Sequence, residues 1–109
     1  MEGKSWSEAK ANCVAMGARL MEVRNQAEFE LSQVMVYEVN ARFWLGASDI
    51  QSEGQWIWES DGEAVRLDRY WKSGEPGGLP FNYDCLLRAS QGLEDYNCDS
   101  RFVYICKFT

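Results

Sequence analysis

The chain has 109 residues, 46% apolar and 26% charged, which fits one globular domain over residues 1–109 and excludes a disordered tail. It has no histidine, which rules out a Ser-His-Asp triad, a Cys-His dyad and a His-ligated zinc on this chain alone. A net charge of −6 makes nucleic acid and anionic membranes poor partners, and no apolar run approaches the ~20 residues of a membrane span.

Met1-Glu2-Gly3-Lys4 lacks the basic-then-apolar pattern of a signal peptide, as expected of a mature or recombinant form with Met1 an added start. Ser5-Trp6-Ser7-Glu8 has the form of a capping box and predicts a helix start. Trp6, Ala9, Cys13 and Met16 follow at helical spacing, and Gly17 is suited to end the helix in the left-handed conformation. Asn25-Gln26-Ala27-Glu28 opens a second helix, expected to run to about Asn40 and to bury Ala27, Leu31, Val34 and Met35. Strands are predicted at Phe43–Ala47 and Gln55–Glu59, the second ended by Asp61-Gly62. Residues 60 to 82 show no clean period and hold both prolines and four of the nine glycines; such a stretch in a small domain is usually functional or externally stabilised. Closing strands are predicted at Asp84–Ala89 and Phe102–Cys106. Two helices followed by strands and a long loop read as an α+β fold. Of the aromatics, Trp44, Trp56, Trp58 and Trp71 are assigned to the core.

Cysteines stand at 13, 85, 98 and 106, an even number without C-x-x-C spacing, so a disulfide framework outside the cytosol is favoured over four reduced thiols. Three pairings are possible. We favour Cys13–Cys106, which ties the first helix to the last strand, with Cys85–Cys98 closing a short loop. In the chain-entropy model these contribute roughly 4–5 and 3 kcal/mol.

Charge is segregated. Residues 49 to 99 carry a net −7, against about +1 for the rest of the chain. Carboxylates gathered round an irregular loop repel one another unless a cation neutralises them, and calcium suits flexible oxygen-rich loops. The spacing is not that of an EF-hand.

These residues resemble the C-type lectin-like domain family. Ser5–Cys13 is similar to its first-helix signature, Trp44-Leu45-Gly46 to its W-I-G-L core motif, and Gly74-Glu75-Pro76 ahead of Asp84-Cys85 to its E-P-N…C segment. Leu93-Glu94-Asp95 ahead of Cys98 resembles its W-N-D…C segment, and Phe102–Cys106 its closing strand. The resemblance implies the disulfide pairing favoured above and small antiparallel sheets with a long loop organised by Ca²⁺. It also implies an N-terminal strand that is short or missing here. By the same resemblance the principal calcium falls to Glu75, Glu94 and Asp95, with Gly77 where Asn is expected and Tyr83 where a second Glu is expected. A second calcium falls to Asp49, Glu53 and Asp84, with Gly78 and Tyr83 replacing two acidic ligands. Sugar hydroxyls would coordinate the principal ion and bond Glu75, Glu94 and Asp95, the backbone N–H of Gly77 or Gly78 would donate, and Tyr96 and Tyr83 would stack on the sugar. A carboxylate only accepts, so Glu94 in place of Asn removes the donor that steers mannose-like or galactose-like choice.

The expected function is therefore calcium-dependent carbohydrate binding by a secreted lectin, without nucleic acid or membrane-span partners and assembled as a homo-oligomer that multiplies weak contacts. The alternative is a calcium-independent domain of the same fold that recognises a protein, favoured by Gly77 and Tyr83. An enzyme is not expected, because the adjacent Glu94 and Asp95 are poorly placed for separate acid and base roles.

Overall fold

The computed structural model describes residues 3–66 and 83–108. Helix α1 (Trp6–Ala15) starts on the expected capping box: Ser5 Oγ accepts the Glu8 N–H, and the Glu8 carboxylate accepts the Ser5 N–H. That backbone bond, first among several causes, holds the Glu8 carboxyl below its ordinary range. Gly17, at φ +74°, ends the helix, and the Ala18 N–H returns to the Cys13 carbonyl at 2.8 Å. Trp6, Ala9 and Cys13 are buried as expected. Met16 is not: the helix stops at Ala15, and Met16 caps it with its side chain exposed.

After β1 (Arg19–Leu20), helix α2 (Gln26–Val39) is capped by Asn25, whose side chain accepts the Glu28 N–H. It ends on Asn40 in the left-handed conformation. Its buried face differs from the expected one. Ala27, Leu31 and Val34 are exposed, Met35 is half-buried, and the helix buries Ser32 and Val36 with Phe29 packed beside them. The cause is Arg88, whose side chain lies fully under this helix. Its guanidinium donates to Ser32 Oγ at 2.6 Å, to Gln33 Oε1 at 2.9 Å and to the Ala89 carbonyl, and stacks over Phe29 at 4.2 Å. A buried charge needs acceptors, so the polar Ser32 turns inward and the aliphatic stripe turns outward.

The main sheet has the order β3-β2-β4-β5, from β2 (Phe43–Ser48), β3 (Ile57–Trp58), β4 (Cys85–Ala89) and β5 (Gly92–Tyr96). These pairs are antiparallel, whereas β6 (Val103–Tyr104) runs parallel to β2. A second sheet pairs β1 with β7 (Cys106–Lys107). Strand β5 was not expected: it is built from Glu94, Asp95 and a left-handed Gly92, weak strand formers held by β4 across a two-residue turn. The strand predicted over Phe102–Cys106 is interrupted at Ile105, and the one over Gln55–Glu59 shortens to Ile57–Trp58. The start of the aperiodic stretch is a hairpin return, with the Val65 N–H on the Trp56 carbonyl at 2.9 Å and Gly62 at φ +75°. Among the described residues before α1, Lys4 forms an isolated antiparallel bridge with Phe102.

Both faces of the main sheet are covered. Phe43, Leu45, Ala47, Leu86 and Leu93 share one core with Val36 of α2, while Trp44, Cys85 and Leu87 share another with Trp6, Ala9 and Cys13 of α1. That two-sided burial explains why β2 and β4 read as continuous apolar runs. Trp44 and Trp58 are core residues as expected and Trp56 packs against the core, while Trp71 lies outside the described residues. Gly46 of the Trp-Leu-Gly motif has a physical reason: a Cβ there would stand 3.1 Å from the Leu20 carbonyl oxygen. The disulfides are Cys13–Cys106, joining α1 to β7, and Cys85–Cys98, joining β4 to the turn after β5.

Candidate metal and ligand site

The sheet register brings two aspartates together. Ser48 faces Cys85, and one step beyond it the Asp49 N–H donates to the Asp84 carbonyl at 3.0 Å. The chain then folds back on itself. The Ser52 N–H reaches the Asp49 carbonyl at 3.2 Å, Gly54 takes φ +82°, and its N–H donates to Asp49 Oδ2 at 2.9 Å. This return lays Glu53 over Asp49. One carboxylate oxygen each from Asp49, Glu53 and Asp84 lies within 4.8 Å of the other two.

The three carboxylates carry an unmet electrostatic demand. Asp49 is only 2% exposed, and Oδ1 of Asp49 and Oδ1 of Asp84 are buried without a hydrogen-bond partner. Burial pushes the Asp49 carboxyl above its ordinary range, against the Gly54 N–H that pulls it down. Burial and then the neighbouring Asp49 push Asp84 up as well. Among the described residues no Lys or Arg pairs with any of the three. Oxygens bound to one calcium at 2.3–2.6 Å lie no more than about 5 Å apart, so the spacing fits that ion. Calcium takes six to eight oxygens, so carbonyls, water or a ligand must complete the shell.

The other expected site is only partly within view. Glu75, Gly77 and Gly78 lie outside the described residues, as does most of the aperiodic loop. Glu94 and Asp95 are neighbours on β5, opposite Leu87 and Leu86 respectively, and both are buried. Strand alternation sends their side chains to opposite faces. The Glu94 carboxylate meets Arg42, with Nη1 to Oε1 at 2.6 Å. Arg42 in turn lies over the rings of Tyr96 and Phe102, at 5.2 and 4.8 Å. Tyr83 and Tyr96, both expected beside a ligand, stack on each other at 5.2 Å and are half-buried.

Two participants were not legible beforehand. Arg42 is 52 residues from Glu94, and only the sheet brings them together. Gly54 had a local signal, a glycine directly after Glu53, that marks the turn.

The C-type lectin domain model matches residues 2–108. The chain belongs to the C-type lectin domain family. It is 34% identical over 104 residues to a hepatic lectin of Gallus gallus, covering 94% of this chain and 49% of that protein. The mouse scavenger receptor C-type lectin carbohydrate-recognition domain superposes with a TM-score of 0.87 at 25% identity, covering 97% of this chain and 81% of that one. A Ca²⁺-dependent type II antifreeze protein, in its Ca²⁺-free form, shares the fold with a TM-score of 0.83 at 18% identity, covering 96% and 84%. The chain spans about half the length, or less, of the curated relatives it matches. The family is one of non-enzymatic binding domains, and this lectin domain carries two disulfides.

Proposed function

We propose that this lectin domain binds carbohydrate in a calcium-dependent way. The observation that carries the calcium requirement is the pair of buried, unpartnered carboxylate oxygens on Asp49 and Asp84 beside Glu53. A divalent ion answers the repulsion there, and the two flanking segments then become a fixed base for the loop between them. The sugar-bearing ion is assigned to Glu75 with one carboxylate of the Glu94–Asp95 pair, since β5 sends those two side chains to opposite faces, and with a donor from the Gly77 N–H. The sugar's hydroxyls complete that shell, and Tyr83 and Tyr96 must part from each other to stack on its C–H surface. Family membership supports the carbohydrate assignment, since a carbohydrate-recognition domain is among the chain's structural neighbours. Two disulfides and the absence, among the described residues, of a helix able to cross a membrane agree with an extracellular setting. Single-site affinity is on the order of millimolar, and homo-oligomerisation raises it.

Calorimetric titration of calcium into the wild type and Glu75→Ala tests the assignment, followed by a simple-sugar series. Loss of one ion and of sugar binding in Glu75→Ala is expected. Equal calcium binding by both proteins removes Glu75 from the site. A glycan-array signal unchanged in chelator overturns calcium dependence.

A specific observation favours a second reading. Glu94 is already neutralised by Arg42, and Tyr83 packs on Tyr96, as in a domain that has given up the ion and recognises a protein through a surface of order 800 Å². That reading requires no calcium-dependent rise in melting temperature.

A further inference from the structure

We propose that the domain carries a second, calcium-independent ligand site: a recess at the far end of the main sheet that takes a single neutral pyranose sugar. Val36, Tyr37, Asn40, Ala41, Arg42 and Ser90 line it, around a volume of about 290 Å³. That is near the lower end of the ~300–1,000 Å³ of small-molecule sites, room for one ring rather than an oligosaccharide. The fold sets its place. Tyr37 lies in the last turn of α2, Asn40 caps that helix, Ala41 and Arg42 lead into β2, and Ser90 sits in the turn between β4 and β5. On β2, Phe43 faces Arg88 at this end, and Ser48 faces Cys85 at the aspartate end. The strand between them is roughly 17 Å long, so one ring in the recess does not reach Asp49, Glu53 or Asp84.

The lining decides the ligand class. Val36, 6% exposed, gives an apolar floor, and Tyr37, 76% exposed, offers an open aromatic ring to the C–H side of a sugar. Three polar side chains share the lining. The Arg42 guanidinium only donates, while the Asn40 amide and the Ser90 hydroxyl donate and accept. Neighbouring sugar hydroxyls, which do both, match that set. Arg42 uses one nitrogen on Glu94, at 2.6 Å, and its planar head is fixed over the rings of Tyr96 and Phe102. Among the described residues nothing else accepts a hydrogen bond from Arg42, and the side chains of Asn40 and Ser90 make none. A head already held in place loses little freedom on binding, which favours even a small ligand. An anion is the poorer fit. Glu94 already meets the charge of Arg42, and Glu38 stands exposed directly after Tyr37. The recess therefore offers polarity without net positive charge. A cation is no better served, because no carboxylate lines the recess.

The test is a titration in chelator with methyl β-galactoside, methyl α-mannoside and N-acetylglucosamine, each up to its solubility, followed by backbone amide resonances. Chelator silences any calcium site, so failure here leaves the calcium-dependent reading standing, and failure of that reading leaves this proposal standing. At least one sugar is expected to shift residues 40–42 and 90–92 with a saturable midpoint, while residues 49–54 stay in place. Tyr37→Ala, which removes an exposed ring, is expected to weaken binding about tenfold. Asn40→Gly suits the left-handed cap and removes the amide, and a several-fold loss is expected. On a glycan array, a weaker signal that survives chelator and is lost in Tyr37→Ala supports the site. No shift at 40–42 and 90–92 with any of the three sugars overturns the proposal. So does an unchanged midpoint in either variant, or a shift there produced by sodium sulfate and by no sugar. If the calcium-free protein does not hold its fold, the same titration in saturating calcium decides: the recess resonances must move with a sugar and must lose that response in Tyr37→Ala.

Discussion

The acidic ends of the main sheet handle buried charge in opposite ways. At the β2–β4 end, Asp49 and Asp84 meet each other and Glu53, and no side-chain cation among the described residues reaches them. On β5, Glu94 is as deeply buried but meets Arg42 at 2.6 Å. The same residue type therefore has two meanings, and its sequence neighbours do not reveal which. A carboxylate left with its own kind asks for a metal, whereas one that has found a guanidinium gives it up only to a stronger cation. Arg88 is a third solution, a buried cation met by neutral acceptors, with burial pulling its pKa down to about 10.

The contrast can be broken most forcefully at its centre. Asp49→Asn is expected to weaken calcium binding at the aspartate site by at least ~100-fold, about 3 kcal/mol, while raising the melting temperature of the calcium-free protein. Calorimetry and thermal unfolding in chelator check the two halves. A calcium-free protein made less stable by this change would mean that the aspartates do not repel.

Acidity probes the same site with a definite sign. The folded-state pKa values of Asp49 and Asp84 are raised, so above the ordinary aspartate range near 4 the folded state retains more protons than the unfolded one. Their contribution to the calcium-free protein therefore falls as pH rises from about 4 through the raised values. Asp61 and Glu8 are lowered and act oppositely, so the quantity to follow is the difference between wild type and an Asp49→Asn, Asp84→Asn double variant. That difference is expected to grow with pH in chelator and to reverse in saturating calcium, where the ligands must be ionised.

Two smaller effects sharpen the comparison. Glu94→Gln leaves Arg42 without its counter-charge and is expected to lower calcium-free stability by about 1 kcal/mol in urea unfolding. Glu53→Gln, which removes a repelling charge from an exposed position, is not expected to lower it. Arg88→Met keeps the volume under α2 and removes the buried charge, so stability is expected to stay within about 1 kcal/mol. A large loss would show that the bonds to Ser32 and Gln33 outweigh the desolvation of the guanidinium.

Much of this was legible in the residues. The capping box at Ser5, the turn at Gly17 and the apolar runs of β2 and β4 are local signals, and the fold followed them. The family resemblance, rather than spacing alone, singled out Asp49, Glu53 and Asp84, whose carboxylates the fold brings together. What was not legible depended on partners distant in sequence. The face that α2 presents is chosen by Arg88, some 55 residues further on, against the pattern of its own aliphatic residues. Strand β5 has weak intrinsic preference and exists because β4 pairs with it. Nothing local to Arg42 signals its pairing; the sheet sets it beside Glu94, 52 residues away.

The most direct measurement is a crystal structure of the protein in excess Ca²⁺, with the ion identified by its anomalous signal. We expect an ion bound by Asp49 Oδ1, Asp84 Oδ1 and a Glu53 carboxylate oxygen at 2.3–2.6 Å. Ordered water among those oxygens, or a proton shared between the two aspartates with calcium in excess, would contradict it.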